Sequence, residues 1–209
     1  YIRDRELVLL KDSYLLGLEI NKRLYEESGD TEARMGLADS YDRLGSVCQK
    51  QKDFDEAEAC YRQSLRLSEQ WGEEAGSEDA RQRLAASHTR LGDALQAGGK
   101  LAESKEQYLR GWEIRKQLCE EAGTYQAQQY LRLALDRLGV LAHRYDGRGK
   151  KCENEGDLAQ AEQFYLQNME LNRLVNRELW CEENWQDSAA EQGLLHDRGF
   201  IRMRSEVSH

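Results

Sequence analysis

Residues 77–123 read SEDARQRLAASHTRLGDALQAGGKLAESKEQYLRGWEIRKQLCEEAG, and the apolar spacing of this stretch decides the fold. Leu84, His88, Leu91 and Leu95 stand four, three and four residues apart, one stripe of an α-helix. That helix should fail at Gly98-Gly99. A second should start near Leu101, carry Ser104, Tyr108, Gly111, Trp112 and Leu118, and end at Ala122-Gly123 on a left-handed cap. The unit is thus two antiparallel helices of about 20 residues, each about 30 Å long.

The stretch has copies on both sides. Leu44-Gly45, Leu91-Gly92 and Leu138-Gly139 are successively 47 residues apart. So are Ser28-Gly29, Ala75-Gly76 and Ala122-Gly123, and the pairs Glu26-Glu27, Glu73-Glu74 and Glu120-Glu121. A fixed period of this length means stacked units, each burying its apolar faces against its neighbours. Tyr14 and Gly17 lie 47 residues before Tyr61 and Ser64, so residues 1–29 read as the second helix of an earlier unit. The expected architecture is all-α: a right-handed α-solenoid, or superhelix, of antiparallel helix pairs.

Composition agrees. Proline is absent, and the residues that are abundant (Leu, Ala, Glu, Gln and Arg) are strong helix formers. The net charge of −9 offers no basic surface for a phosphate backbone, which argues against a nucleic-acid partner. No apolar run nears the roughly 20 residues that span a bilayer, so no membrane partner is expected. Five cysteines, an odd number without a CxxC pair, fit a reducing, cytoplasmic setting and no metal site. The chain begins at Tyr1 without Met, as a fragment or processed chain would.

The units resemble the tetratricopeptide repeat. That pattern places Leu-Gly midway along the first helix, a small residue 12 positions after the Gly, an aromatic 16 after and a second small residue 19 after. Residues Gly45, Ala57, Tyr61 and Ser64 match it, as do Gly92, Ser104, Tyr108 and Gly111. A third match, Gly139 with Ala161, Tyr165 and Asn168, requires a ten-residue insertion. The family's usual period is 34 residues, so the resemblance is to the long-helix repeats of bacterial proteins and kinesin light chains.

This alignment divides the chain into repeats at 30–76, 77–123 and 124–182, the last with an inserted loop at 146–155. The loop sequence, DGRGKKCENE, has two glycines and mixed charge. A capping helix over 183–204, built on Trp185, Ser188, Ala189, Gln192 and Leu195, and a disordered tail at 205–209 complete the expectation.

Catalysis has little support. No HExxH, phosphate-binding glycine loop or GxSxG occurs, and no cofactor is implied. Of four histidines, His88 falls on the apolar stripe and reads as packed core. The Glu-Glu pairs read as a solvated face. Arg43, Arg90 and Arg137, each just before a Leu, read as ion pairs between neighbouring repeats.

In the resembling family the first helices line a concave groove, whose positions lie three before the Gly and one, four and five after it. Carried over, these are Asp42, Ser46, Gln49 and Lys50, then Thr89, Asp93, Gln96 and Ala97, then Asp136, Val140, His143 and Arg144. The Lys and Asn or Arg with which some members clamp a C-terminal carboxylate are missing at the first two positions. The three aspartates suggest an acidic stripe and a basic or polar partner. The resemblance therefore implies a non-catalytic protein- or peptide-binding scaffold. Two alternatives remain open: a self-associating module that dimerises weakly through its N-terminal helix, and the ligand-sensing part of a larger signalling regulator.

Overall fold

A computed structural model describes residues 2–191 of the backbone and 6–179 of the side chains. The expected disordered tail, the end of the capping helix, His196 and His209 lie outside the described residues. Within them the chain is entirely helical: α1 (Ile2–Ser28), α2 (Thr31–Lys50), α3 (Phe54–Ala75), α4 (Glu78–Ala97), α5 (Leu101–Ala122), α6 (Tyr125–Asn154) and α7 (Leu158–Glu191). It forms two compact units divided between Arg144 and Tyr145.

From α1 to α5 each helix packs on the next, the stacking of an α-solenoid. The caps follow from local chemistry. Asp30, Asp53 and Ser77 each accept a hydrogen bond from the backbone three residues on, which starts α2, α3 and α4. Gly76 and Gly123 end α3 and α5 at φ of 56° and 57°, where a Cβ would be strained. Leu44, Cys48, Ala57, Cys60, Tyr61, Leu65, Leu91, Ala94 and Leu95 form one buried cluster. Cys48 is fully buried there as a small apolar residue.

The helix pairs share one contact. Gly45 and Gly92 face the rings of Tyr61 and Tyr108, and a Cβ on Gly92 would stand 2.6 Å from the Tyr108 ring. Ser104 Oγ also donates to Gly92 O at 2.9 Å. The small residue and the Tyr 12 and 16 positions after the Gly thus lie where the resemblance put them.

The second unit, from Tyr145, corrects the third pair. Residues 146–155 are not a loop. α6 runs through Asn154, and the turn to α7 is the ordinary one, with Gly156 at φ 83°. The backbone N–H of Asp157 donates to Cys152 O at 2.9 Å, as Asp53 does to Cys48 O and Lys100 to Leu95 O. The true counterpart of Gly45 and Gly92 is Gly149: its Cβ would meet the Tyr165 ring at 2.6 Å, while Gly139 has nothing within 4 Å. The ten extra residues therefore lengthen a helix. Buried Tyr145, Gly149 and Cys152 form its stripe, and Asp146–Lys150 and Lys151–Glu155 ion pairs lie along it.

The break expected between 182 and 183 is absent too, because α7 continues to Glu191. Gly29, Gly76 and Gly123 take positive φ at the ends of earlier second helices. In the register of Gly149 the next such place is Trp180, which supplies no left-handed cap.

Candidate functional site

The first helices α2 and α4 touch directly, and side chains tie them and the start of α6 into one face. Arg90 on α4 pairs with Asp42 on α2 at 2.9 Å, and Arg137 on α6 pairs with Asp93 on α4 at 3.4 Å. Of the three arginines read as links between repeats, Arg90 and Arg137 do make the link. Its cost falls on the expected acidic stripe, since two of its three aspartates pair with arginines, although Asp42 Oδ1 is buried without a hydrogen-bond partner among the described residues. Burial raises the pKa of each against the lowering by its arginine, and Tyr108 Oη donates to Asp93 at 2.6 Å.

The other groove residues fall as follows. Ser46 is half-buried on α2, and Lys50 is exposed in its last turn. Gln49 accepts from Tyr61 Oη, and Gln96 from Tyr108 Oη, both at 3.4 Å. Burial, with Asp42 nearby, pushes the Tyr61 hydroxyl up to about 12. Thr89 donates to Ala85 O at 2.9 Å. Thr89, Asp93 and Gln96 make one stripe of α4. Asp136, Val140, His143 and Arg144 are exposed on α6. They do not hold the register of α2 and α4, because the glycine that receives the tyrosine is Gly149. In that register the second unit offers Asp146, Lys150 and Glu153; Tyr165 Oη donates to Glu153 at 2.8 Å.

Sequence reasoning overlooked Arg115. It projects from α5, is 8% exposed, and donates from Nη1 to Thr89 Oγ1 at 3.0 Å. Its Nε and the Nε2 of Gln96 are buried without a partner among the described residues. A signal was present: the positions 94 and 47 residues earlier are Asn21 and Ser68, small and neutral.

Two further expectations need adjusting. His88 is core, as read, but with a specific partner, Gln107 Oε1 at 2.8 Å from its Nδ1. The Glu-Glu pairs are not simply solvated. Glu74 pairs with Arg34, and Glu121 with Arg81, joining the end of a second helix to the start of its own first helix. Among the described residues no group of three or more His, Cys, Asp or Glu could hold a metal ion, and no helix is long and apolar enough to cross a membrane.

Residues 36–117 match the family model of the tetratricopeptide repeat. Among solved structures the chain is similar to BtubC (BKLC) from P. vanneervenii, at 18% identity over 80% of this chain and 74% of that one, with a TM-score of 0.42. It is also similar to the DHF79 filament (15% identity, 81% and 89%, TM-score 0.43) and to the de novo designed helical repeat protein DHR64 (20%, 97% and 93%, TM-score 0.42). The search of curated proteins finds no match.

Proposed function

Residues 36–117 belong to the tetratricopeptide repeat family, whose repeats generally mediate protein–protein interaction, and from that premise we propose that this chain is a non-catalytic scaffold binding a protein or peptide along its first-helix face. One observation carries the reading. Thr89, Asp93 and Gln96 form a polar stripe on α4, flanked on α2 by Asp42, Ser46, Gln49 and Lys50, and the Arg90–Asp42 and Arg137–Asp93 pairs hold α2, α4 and α6 at fixed spacing. A ligand would meet a preorganised polar surface, which limits the ordering cost of binding. The case for a basic partner is weaker than the three aspartates suggested, because Asp42 and Asp93 are paired with arginines, while Asp136 is exposed but out of their register.

The test is site-specific photo-cross-linking. A photoreactive residue at Ser46 or Gln96 should capture a partner, while one at exposed Glu113 on the second helix α5 should not. Capture from Glu113 alone would move binding to the other face and end this reading.

Self-association is a second reading, favoured by α1. Val8, Leu9, Leu16 and Ile20 are each more than half exposed. The places 47 residues later on α3 hold Asp55, Glu56, Gln63 and Leu67. A second helix that is polar outside in one repeat is apolar outside in another, the mark of a covered surface.

A further inference from the structure

The second helices turn corresponding places to the outside, and α1 fills them differently from the others. The counterparts of Leu9 and Leu16 are Glu56 and Gln63 on α3, and Glu103 and Arg110 on α5. Gln63, Glu103 and Arg110 are exposed. On α1 both places hold leucine, and Ile20 beside them is more than half exposed as well. A first helix seated on α1 as α2 sits on α3 would leave Leu16 open, because that seating leaves Gln63 exposed. The repeat pattern thus supplies no neighbour for this apolar line.

The line is self-complementary. Glu6, Leu9, Ser13, Leu16, Ile20 and Arg23 follow one another at steps of three and four residues, so they share one side of the helix. All six are exposed. Two copies running in opposite directions set acid against base at both ends of the line and apolar or small residues between. Two copies running the same way set Glu6 on Glu6 and Arg23 on Arg23, and like charges across an interface are costly. The centre can be covered without stranding a donor, since Ser13 Oγ already donates to Leu9 O at 2.9 Å. Next to it, a Cβ on Gly17 would have nothing within 4 Å. Arg23 pairs with Glu19 one turn back, but both are exposed, and such a pair is weak enough to be shared.

We propose that two copies of this chain associate through α1 as an antiparallel, two-fold pair, with Leu9 against the partner's Ile20, Ser13 against the partner's Leu16 and Glu6 against the partner's Arg23. Two-fold symmetry forms each of these contacts twice. The proposal rests on the self-association reading above and adds to it the direction of the partner helix and the charges that select it.

Sedimentation equilibrium of the full chain over a wide concentration range reads the dimerisation constant. Glu6→Arg and Arg23→Glu each set two like-charge contacts across the pair. Each should weaken dimerisation about tenfold at low salt, although the two move the net charge in opposite directions. The two changes combined in one chain exchange the ion pairs and should restore the parent value. An equimolar mixture of the two single variants should dimerise more tightly than either alone. The proposal is overturned if either single variant dimerises as the parent does, the result for a parallel pair or another surface. It is equally overturned if the double variant is no tighter than the single ones. Leu9→Glu with Leu16→Glu separates the direction of the pair from the reading beneath it. A dimer lost in that chain but indifferent to the charge reversals leaves self-association through α1 standing and removes the antiparallel pair. A parent that is monomeric at every concentration, or a dimer that survives the leucine changes, removes both.

Discussion

Glycine inside a helix costs up to about 1 kcal/mol relative to alanine, so a helical glycine needs a reason. Gly92 has one: a Cβ would stand 2.6 Å from the ring of Tyr108, itself only 2% exposed and unable to move aside. Gly92→Leu should therefore lower stability by at least about 1–3 kcal/mol, measured by chemical denaturation. Gly139, with nothing within 4 Å, should gain from alanine, by up to about 1 kcal/mol. A Gly139→Ala chain as damaged as Gly92→Ala would refute the register assigned to α6. His88 makes a prediction about pH. Burial lowers its pKa, so on acidification the unfolded chain takes up this proton first. Its contribution is complete above the ordinary imidazole value of about 6.5 and is lost as pH falls below it. Between about pH 7.5 and about pH 5.5 the melting temperature of the parent should fall further than that of His88→Gln. The buried aspartates respond alike in both chains and drop out of the difference; parallel curves would rule out the His88 contribution.

At the scale of elements, the same helix–turn–helix closes three times, at Lys52, Gly99 and Gly156, with φ of 66°, 82° and 83°. Lysine is the odd residue, because a side chain in the left-handed region is strained by roughly 1–2 kcal/mol. Lys52→Gly should raise stability by about 0.5–1 kcal/mol, since glycine's larger unfolded entropy offsets part of the relief. A decrease in the denaturation midpoint would show that Lys52 has a compensating contact. The third pair also shows how a periodic sequence misleads. Leu138-Gly139 keeps the 47-residue step and looks like the next copy, yet Gly149, Ala161 and Tyr165 satisfy the 12 and 16 spacing with no insertion. A helix can absorb the ten residues because buried Leu138, Leu141, Tyr145, Gly149 and Cys152 continue one stripe at steps of three and four residues. The glycines in DGRGKK suggest a loop only if each is read as a breaker. One of them, Gly149, is there for close approach.

For the whole molecule the distribution of exposed apolar surface matters most. Leu9, Leu16 and Ile20 form an apolar line along α1, with Leu9 and Leu16 both 62% exposed. If self-association uses this helix, sedimentation should show mass rising with concentration, and Leu9→Glu with Leu16→Glu should abolish the rise. A chain that stays monomeric at every concentration would leave the first-helix face as the one binding surface proposed.

Helix content, pairing and the stacking of the first two complete repeats were legible in the chain itself. They depend on local periodicity, on caps such as Asp30, Gly76 and Gly123, and on the fixed distance from Gly45 to Tyr61 and from Gly92 to Tyr108, all short-range properties. The charge of the candidate face was not legible in the same way. Asp42, Asp93 and Asp136 look equivalent in sequence, but only the stacking of α2, α4 and α6 brings Arg90 to Asp42 and Arg137 to Asp93. The same stacking buries Arg115 against Thr89, 26 residues away, with no carboxylate of its own. Periodicity sets which side chains face inward; which charges neutralise one another depends on distances across helices, and those exist only once the repeats are stacked.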